Sequence, residues 1–226
     1  MTAARPRTRI KICGLTREQD VQAAVAAGVD AIGFVLYAPS ARAVTAERAA
    51  ALARYLPPFV TPVLLLVNET PEAIAHALHQ VPNALLQFHG DESPEDCLRA
   101  TGQARRSFLR AARIPTDPVQ SFDLLKFAAD YHQAQAILLD AHVEGYGGGG
   151  KAFDWSRLPA SVSSHLVLSG GLTPANVVDG ILQVRPRCLS LAVDVSSGVE
   201  ASRGIKDAGK IHQFVAAVRA ADERLA

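Results

Sequence analysis

Cysteine is scarce in this chain: 226 residues hold three, Cys13, Cys97 and Cys188, odd in number, far apart and without CxxC spacing. That excludes a disulfide framework and a zinc site built on cysteine pairs, and it fits a reducing, cytoplasmic compartment. Net charge is nearly absent too, because 23 basic and 22 acidic side chains leave only +1. The chain lacks the basic field that draws a protein to nucleic acid or an anionic membrane. No apolar run is long enough to span a bilayer, and the opening MTAARPRTRIK runs into a strand-like segment without an apolar h-region. One hydroxyl is also missing. The stretch GYGGGGKA (145–152) spells G-x-x-x-x-G-K, but Ala152 stands where a nucleotide-binding P-loop needs Ser or Thr for magnesium. The stretch is separated from the strand before it by AHVE, and Pro159 cuts short any helix after it. It reads as a hinged flap over a site, with Lys151 holding the flap or meeting the ligand; a plain surface loop is the alternative.

What is present is ordinary for a folded protein, 49% apolar and 20% charged, in a length that suits a single domain over 1–226. Short apolar runs recur at 9–13, 31–36, 60–67, 84–88, 105–111, 136–140, 165–170 and 188–195. Helical punctuation fills the gaps. Thr16 with Gln19 has capping-box spacing and Gly28 is a stop; Thr45 opens a helix that Pro57-Pro58 ends. TPEAIAHALHQ, SPEDCLRA and TPANVVDGILQV each begin with a capping hydroxyl before proline. Eight such units predict an α/β fold, a single-domain (β/α)8 TIM barrel, with an open doubly wound sheet as the alternative. In a barrel the residues just after each strand line one mouth, so those positions are where chemistry is expected.

Gly170 and Gly171 follow the seventh strand, and Ser196, Ser197 and Gly198 the eighth. Small residues there let backbone N–H groups converge on a phosphate, although tight turning alone also needs glycine. Cys13 ends the first strand near Lys11, a setting in which a thiol serves as base or nucleophile; a buried inert cysteine is the plainer reading, and the one taken for Cys97 and Cys188. Asp140 closes the apolar run AILLD, where desolvation favours the protonated form that a general acid needs. Arg42 is suited to fork onto a carboxylate and His89 to donate to a ligand, though both also read as loop residues. His76 and His79 read as surface residues with no carboxylate partner nearby. A thiol base facing a carboxylic acid suits a proton-transfer isomerisation, which calls for no metal and no redox cofactor.

The motifs KICGLT, GFVLYAPSARAV, QFHGDE, LLD, YGGGGKAFDW, LSGGLTPANV and VDVSSGVE follow one another in order, and together resemble the phosphoribosylanthranilate isomerase family over nearly the whole chain. The resemblance implies conversion of N-(5-phosphoribosyl)anthranilate to 1-(2-carboxyphenylamino)-1-deoxyribulose 5-phosphate by an Amadori rearrangement in tryptophan biosynthesis. It further implies Cys13 as general base, Asp140 as general acid, Arg42 at the anthranilate carboxylate, SGG and SSG as phosphate loops, and Asp194 lining the pocket. The implied partner is this small phosphorylated aminosugar, taken by a monomer or homodimer with no cofactor. Two departures stand out: Phe88, where the family usually has leucine on the inner layer of the barrel, and Gly149, where Ser or Thr is common. An indole-forming lyase using Lys11 and Glu69, and a non-catalytic sugar-phosphate binding module, are the competing readings.

Overall fold

Strand parity organises this molecule. In the computed structural model, which describes residues 7–103, 105–117, 119–142 and 152–225, the apolar runs become parallel strands. They are β1 (Arg9–Cys13), β2 (Ala31–Val35), β3 (Thr61–Leu66), β4 (Leu85–Phe88), β5 (Phe108–Pro115), β6 (Ala136–His142), β7 (Val162–Leu168) and β8 (Cys188–Val195). Each pairs with the next, and β8 returns to β1 with Arg9 opposite Ala192 and Ile12 opposite Val195, so the sheet closes into a barrel. The (β/α)8 architecture expected from the sequence is the one observed.

The helices are α1 (Glu18–Ala26), α2 (Ala46–Ala53), α3 (Pro71–Gln80), α4 (Pro94–Ala100), α5 (Leu124–Asp130), α6 (Val177–Val184) and α7 (Ala208–Leu225). Between β6 and β7 the described residues hold only a 3-10 turn, Trp155–Arg157, just before Pro159. Past β8 the chain makes a small antiparallel hairpin, β9 (Glu200–Ser202) with β10 (Ile205–Lys206). The flap expected over 145–152 lies, apart from Ala152, outside the described residues.

Because successive side chains alternate, one set of each strand packs outward under the helices and the other fills the barrel. Ile10, Ile12, Phe34, Leu64, Leu86, Phe108 and Leu139 belong to the main outer core, while Leu109, Ala111, Leu138 and Val167 form a separate cluster within the barrel. A third cluster, Cys13, Val35, Leu65 and Val67 with Tyr37 against it, forms an apolar plate on the β1–β3 side of the mouth. Among the described residues no helix is long and apolar enough to cross a membrane.

Several local expectations are met for the reasons given. Thr45, Thr70 and Ser93 cap α2, α3 and α4 through their hydroxyls, and Ser93 with Asp96 completes a capping box. Others need correction. Arg17, not Thr16, precedes α1, because the Thr16 hydroxyl is spent on the carbonyl of Gly204 across the chain. Thr173 likewise belongs to a turn, its N–H donating to Asn176 Oδ1, and α6 starts three residues later than its Thr-Pro signal implies. The fifth strand runs over 108–115 rather than 105–111, so Arg113 pairs in register with Asp140 instead of following the strand. Phe88 does not lie on the inner layer: Gln87 and His89 take the inward positions, and Phe88 packs outward, edge-on to Phe108 at 5.7 Å. His76 does have a carboxylate partner, Glu47 at 2.7 Å, supplied by the neighbouring helix and so invisible to local spacing.

Candidate active site

Two groups of polar side chains share the barrel mouth. On one side, Lys11 and Cys13 are consecutive inward residues of β1, and Lys11 Nζ donates to Asp194 Oδ2 of β8 at 2.9 Å, both side chains about 5% exposed. Room for them comes from Gly33 of β2, where a Cβ would stand 2.6 Å from Cys13 Sγ and 3.1 Å from Lys11 Nζ. Next to Cys13, Gly14 turns the chain with φ +74, which only glycine adopts freely, and a Cβ there would meet Arg42 Cδ at 2.6 Å. Arg42 grips Glu200 bidentately, Nε to Oε1 at 2.7 Å and Nη2 to Oε2 at 2.8 Å. The fork expected of Arg42 is present, but its first partner is a protein carboxylate. Lys206 completes the group, donating to Glu200 Oε1 at 2.8 Å and to the carbonyl of Ser196 at 3.0 Å.

Burial pushes the Cys13 thiol up, with Lys11 pulling against it and Asp194 pushing further the same way. Lys11 is raised: burial works against its charge, but Asp194 and then Cys13 outweigh it. At the other two cysteines the nearby cations, Arg110 at Cys97 and Arg185 at Cys188, do not offset burial. Burial carries Cys97 to about 12 and Cys188 to about 11, which suits the structural part expected of both.

The second group is a hydrogen-bonded chain. Gln87 Nε2 lies 3.1 Å from His89 Nδ1, and His89 Nε2 lies 2.8 Å from Asp140 Oδ2. The other oxygen of Asp140 accepts from the N–H of Ala141 at 3.0 Å. If Gln87 donates to Nδ1, that nitrogen is bare and the ring proton sits on Nε2, facing Asp140. His89 is held in turn by the loop it begins: Glu92 accepts from the N–H groups of Asn68 and Gly90, and buried Arg110 donates to the carbonyls of Phe88, Gly90 and Glu92. Asp140 is thus not a carboxyl left among apolar neighbours, as its sequence setting implied, but the end of a relay.

The glycine loops join the two groups. Gly170 and Gly171 are consecutive left-handed residues at φ +74 and +68, and a Cβ on Gly170 would overlap the backbone of Ala141 and stand 2.9 Å from Asp140 Oδ1. A Cβ on Gly198 would overlap the carbonyl of Leu172, so the loops after β7 and β8 touch each other. Ser196 Oγ donates to the carbonyl of Cys13 at 3.0 Å, while Ser197 and Gly198 begin a 3-10 turn. Among the described residues, two buried oxygens at the mouth, Gln87 Oε1 and Asp194 Oδ1, lack a hydrogen-bond partner, and an unpaired buried acceptor is costly unless something arrives to satisfy it. Among the described residues no three His, Cys, Asp or Glu side chains are grouped to hold a metal ion. Glu200, Lys206, Gln87 and Gly33 were not singled out in the sequence. Gln87 and Gly33 are detectable by inward parity once the strands are known, whereas Glu200 closes the VDVSSGVE motif without standing out in it and Lys206 lies in the hairpin beyond, which has no motif of its own.

Fold and site define a class: an eight-stranded α/β barrel whose titratable side chains and glycine loops gather at the C-terminal mouth. The family model for N-(5'phosphoribosyl)anthranilate (PRA) isomerase matches residues 10–217. The chain is 61% identical over 220 residues to the N-(5'-phosphoribosyl)anthranilate isomerase of Methylibium petroleiphilum, covering 97% of this chain and 98% of that one. With that of Leptothrix cholodnii it is 63% identical, covering 96% and 94%. Among solved structures, the phosphoribosyl anthranilate isomerase of Thermus thermophilus matches with a TM-score of 0.79 at 31% identity, covering 94% of this chain and 99% of that one. Another, described as a complex of phosphoribosyl anthranilate isomerase with reduced 1-(o-carboxyphenylamino)-1-deoxyribulose 5-phosphate, matches with a TM-score of 0.75 at 36% identity, covering 94% and 99%. The chain belongs to the phosphoribosylanthranilate isomerase family of enzymes.

Proposed function

We propose that this protein isomerises N-(5-phosphoribosyl)anthranilate to 1-(2-carboxyphenylamino)-1-deoxyribulose 5-phosphate by an Amadori rearrangement, in tryptophan biosynthesis. The observation that carries the reading is the pairing of inward groups at one mouth: Cys13 at the end of β1 and Asp140 near the end of β6, each engaged by its own polar partners. Asp140, in its protonated form, gives its proton to the furanose ring oxygen as the C1–O bond breaks, leaving a Schiff base between C1 and the anthranilate nitrogen. That iminium makes the proton on C2 acidic. Cys13, as thiolate, removes it, and the enolamine tautomerises to the ketone with the hydroxyl oxygen of C2 becoming the carbonyl. No atom is lost or gained beyond protons exchanged with the two side chains.

Positioning comes from the two ends of the substrate. Gly170, Gly171, Ser196, Ser197 and Gly198 form the phosphate end, where left-handed glycines and a serine turn aim backbone N–H groups at an anion. Arg42 takes the anthranilate carboxylate through Nη1, since Glu200 already occupies Nε and Nη2. Asp194 Oδ1, buried and unpaired among the described residues, accepts from a sugar hydroxyl, and His89 steadies Asp140. Holding both ends places C2 near Cys13 and the ring oxygen near Asp140, the orientation effect that supplies much of such rate accelerations. Each proton transfer then contributes about 10²–10⁴-fold.

The test is turnover of freshly prepared phosphoribosylanthranilate, followed by the change in anthranilate fluorescence. The wild-type chain should convert it, and Cys13→Ala and Asp140→Asn should each lose about 10²–10⁴-fold in kcat while circular dichroism stays native. Either variant retaining near-normal turnover removes that residue from its role. Formation of indole would instead favour the lyase, and tight binding without turnover the binding module.

A further inference from the structure

The side chains packed around Cys13 do not balance in charge. Lys11 is matched by Asp194, but the single carboxylate of Glu200 faces two buried cations, Arg42 and Lys206. Among the described residues, three buried cations therefore meet two buried carboxylates, an excess of one positive charge next to a thiol. The neighbouring charges that remain do not cancel it. Asp20, which accepts from the backbone N–H of Lys206, is already paired with Arg17, and Lys210, which donates to the carbonyl of Glu200, is solvent-exposed. From β2 and β3, Gly33, Val35, Leu65 and Val67 bring no charge to the thiol, and Tyr37 beyond β2 packs against the same cluster.

Lys206 is the member of this group with no other evident task. Its side chain is 0% exposed, so it does not reach a ligand from solvent. Its ammonium contacts Ser196 at the carbonyl and at Oγ (3.2 Å), and that same Oγ donates to the carbonyl of Cys13. One hydroxyl group thus separates the buried ammonium from the backbone of the thiol. We propose that Lys206 is a positioning residue for Cys13: its buried charge, only half answered by Glu200, is what makes the thiolate attainable in an otherwise apolar setting. The inference rests on Cys13 acting as the base. Burial opposes both charged forms, lowering Lys206 and raising Cys13, and each charge favours the other. Forming the thiolate closes the charge count to three against three. An unpaired buried charge is among the most costly features a core can hold, so the arrangement favours a compensating anion at this thiol.

The experiment is a pH titration of the thiolate by its ultraviolet absorbance, each protein read against its own Cys13→Ser counterpart so that tyrosines and the other cysteines cancel. Lys206→Met should move the midpoint to higher pH, with about a tenfold smaller thiolate fraction at any pH below it. Glu200→Gln, which removes a negative charge at nearly constant shape, should move it to lower pH. Lys206→Arg should restore the wild-type midpoint, and the acid limb of kcat/KM against pH should shift with the thiolate. A purely structural Lys206 predicts no such opposite displacement. A midpoint that stays put, or moves the same way in both variants, overturns the inference. If Lys206→Met does not fold, Lys206→Gln, whose amide keeps a donor toward Ser196, is read in its place and should show the same upward shift. Failure of the base assignment is read separately, as turnover surviving in Cys13→Ala.

Discussion

The two ends of the barrel use the same side chains for different ends. At the mouth, Lys11, Arg42 and Lys206 are buried with Asp194 and Glu200 around a thiol. At the opposite end, Arg7 and Arg9 hold Asp30, at 2.5 and 3.1 Å, with the arginine side chains 45% and 64% exposed. There too, Asp222 of α7 accepts from the N–H and hydroxyl of Thr8 and from Arg185, while Arg219 donates to the carbonyl of Thr8. Those bonds end on Thr8, just ahead of the first strand, and tie it to the last helix. The charges at the mouth end on one another and on a reactive group. What an ion pair does is decided by what it is packed against, and its strength alone does not reveal which.

The comparison breaks first at Asp222. Asp222→Ala takes from Arg185, 6% exposed, its carboxylate while leaving it the Thr8 hydroxyl, and removes the acceptor of two donors of Thr8. Removing one partner of a buried pair costs about 3 kcal/mol, or a fall in Tm of about 6–12 °C at this chain length. Thermal unfolding should report that loss, with kcat at a permissive temperature unchanged. A kcat that falls with stability would mean that the two ends are coupled and the division is wrong.

The reverse pattern is expected at Gly33. A Cβ there stands 2.6 Å from Cys13 Sγ and 3.0 Å from Lys11 Cε, and its backbone does not demand glycine. Gly33→Ala should therefore leave the fold nearly as stable, yet push the thiol aside. Displacements near 1 Å at reacting groups cost about a hundredfold in rate. Steady-state kinetics should show kcat down by that order with KM changed less. A variant that unfolds readily but turns over normally when folded contradicts the role given to this gap.

The barrel was legible because its signals are local. Alternation, Ser/Thr-Pro caps at Thr70 and Ser93, and the stop at Gly28 act within a few residues of themselves. Where a hydroxyl found a distant partner, as Thr16 did with Gly204, the local signal misled. The site divides along the same line. Cys13, His89 and Asp140 sit at strand ends and are singled out by position, and Asp194 by the family resemblance, whereas Glu200 joins Arg42 across 158 residues and Lys206 lies in a hairpin that looks like the approach to the last helix. Arg42 was correctly read as a fork but not as a fork already engaged. The relay through Gln87 needed the register of β4, since one residue of slip places Phe88 inside, as the family comparison had suggested.

The smallest effect is expected from an ion pair that belongs to neither end. Arg48 of α2 grips Glu18 of α1 on the outer shell, with side chains 37% and 42% exposed, and also donates to the carbonyl of Thr16. The hydrogen bonds from Arg48 hold the Glu18 carboxyl down at about 2, against an ordinary value of 4.5. A carboxyl lowered in the folded state contributes stability above its ordinary value, and that contribution fades as pH falls through the folded one. Exposed pairs of this kind are screened by solvent, so the contribution is small. Denaturant unfolding of the wild type and Glu18→Gln should differ slightly at neutral pH, keep that difference down to about pH 4.5, and converge near pH 2. Raising the salt concentration at neutral pH should shrink the same gap, because both partners face water. A difference that persists below pH 2, or that ignores salt, would show that Glu18 acts through packing. The shell would then resemble the barrel's far end more than its exposure implies.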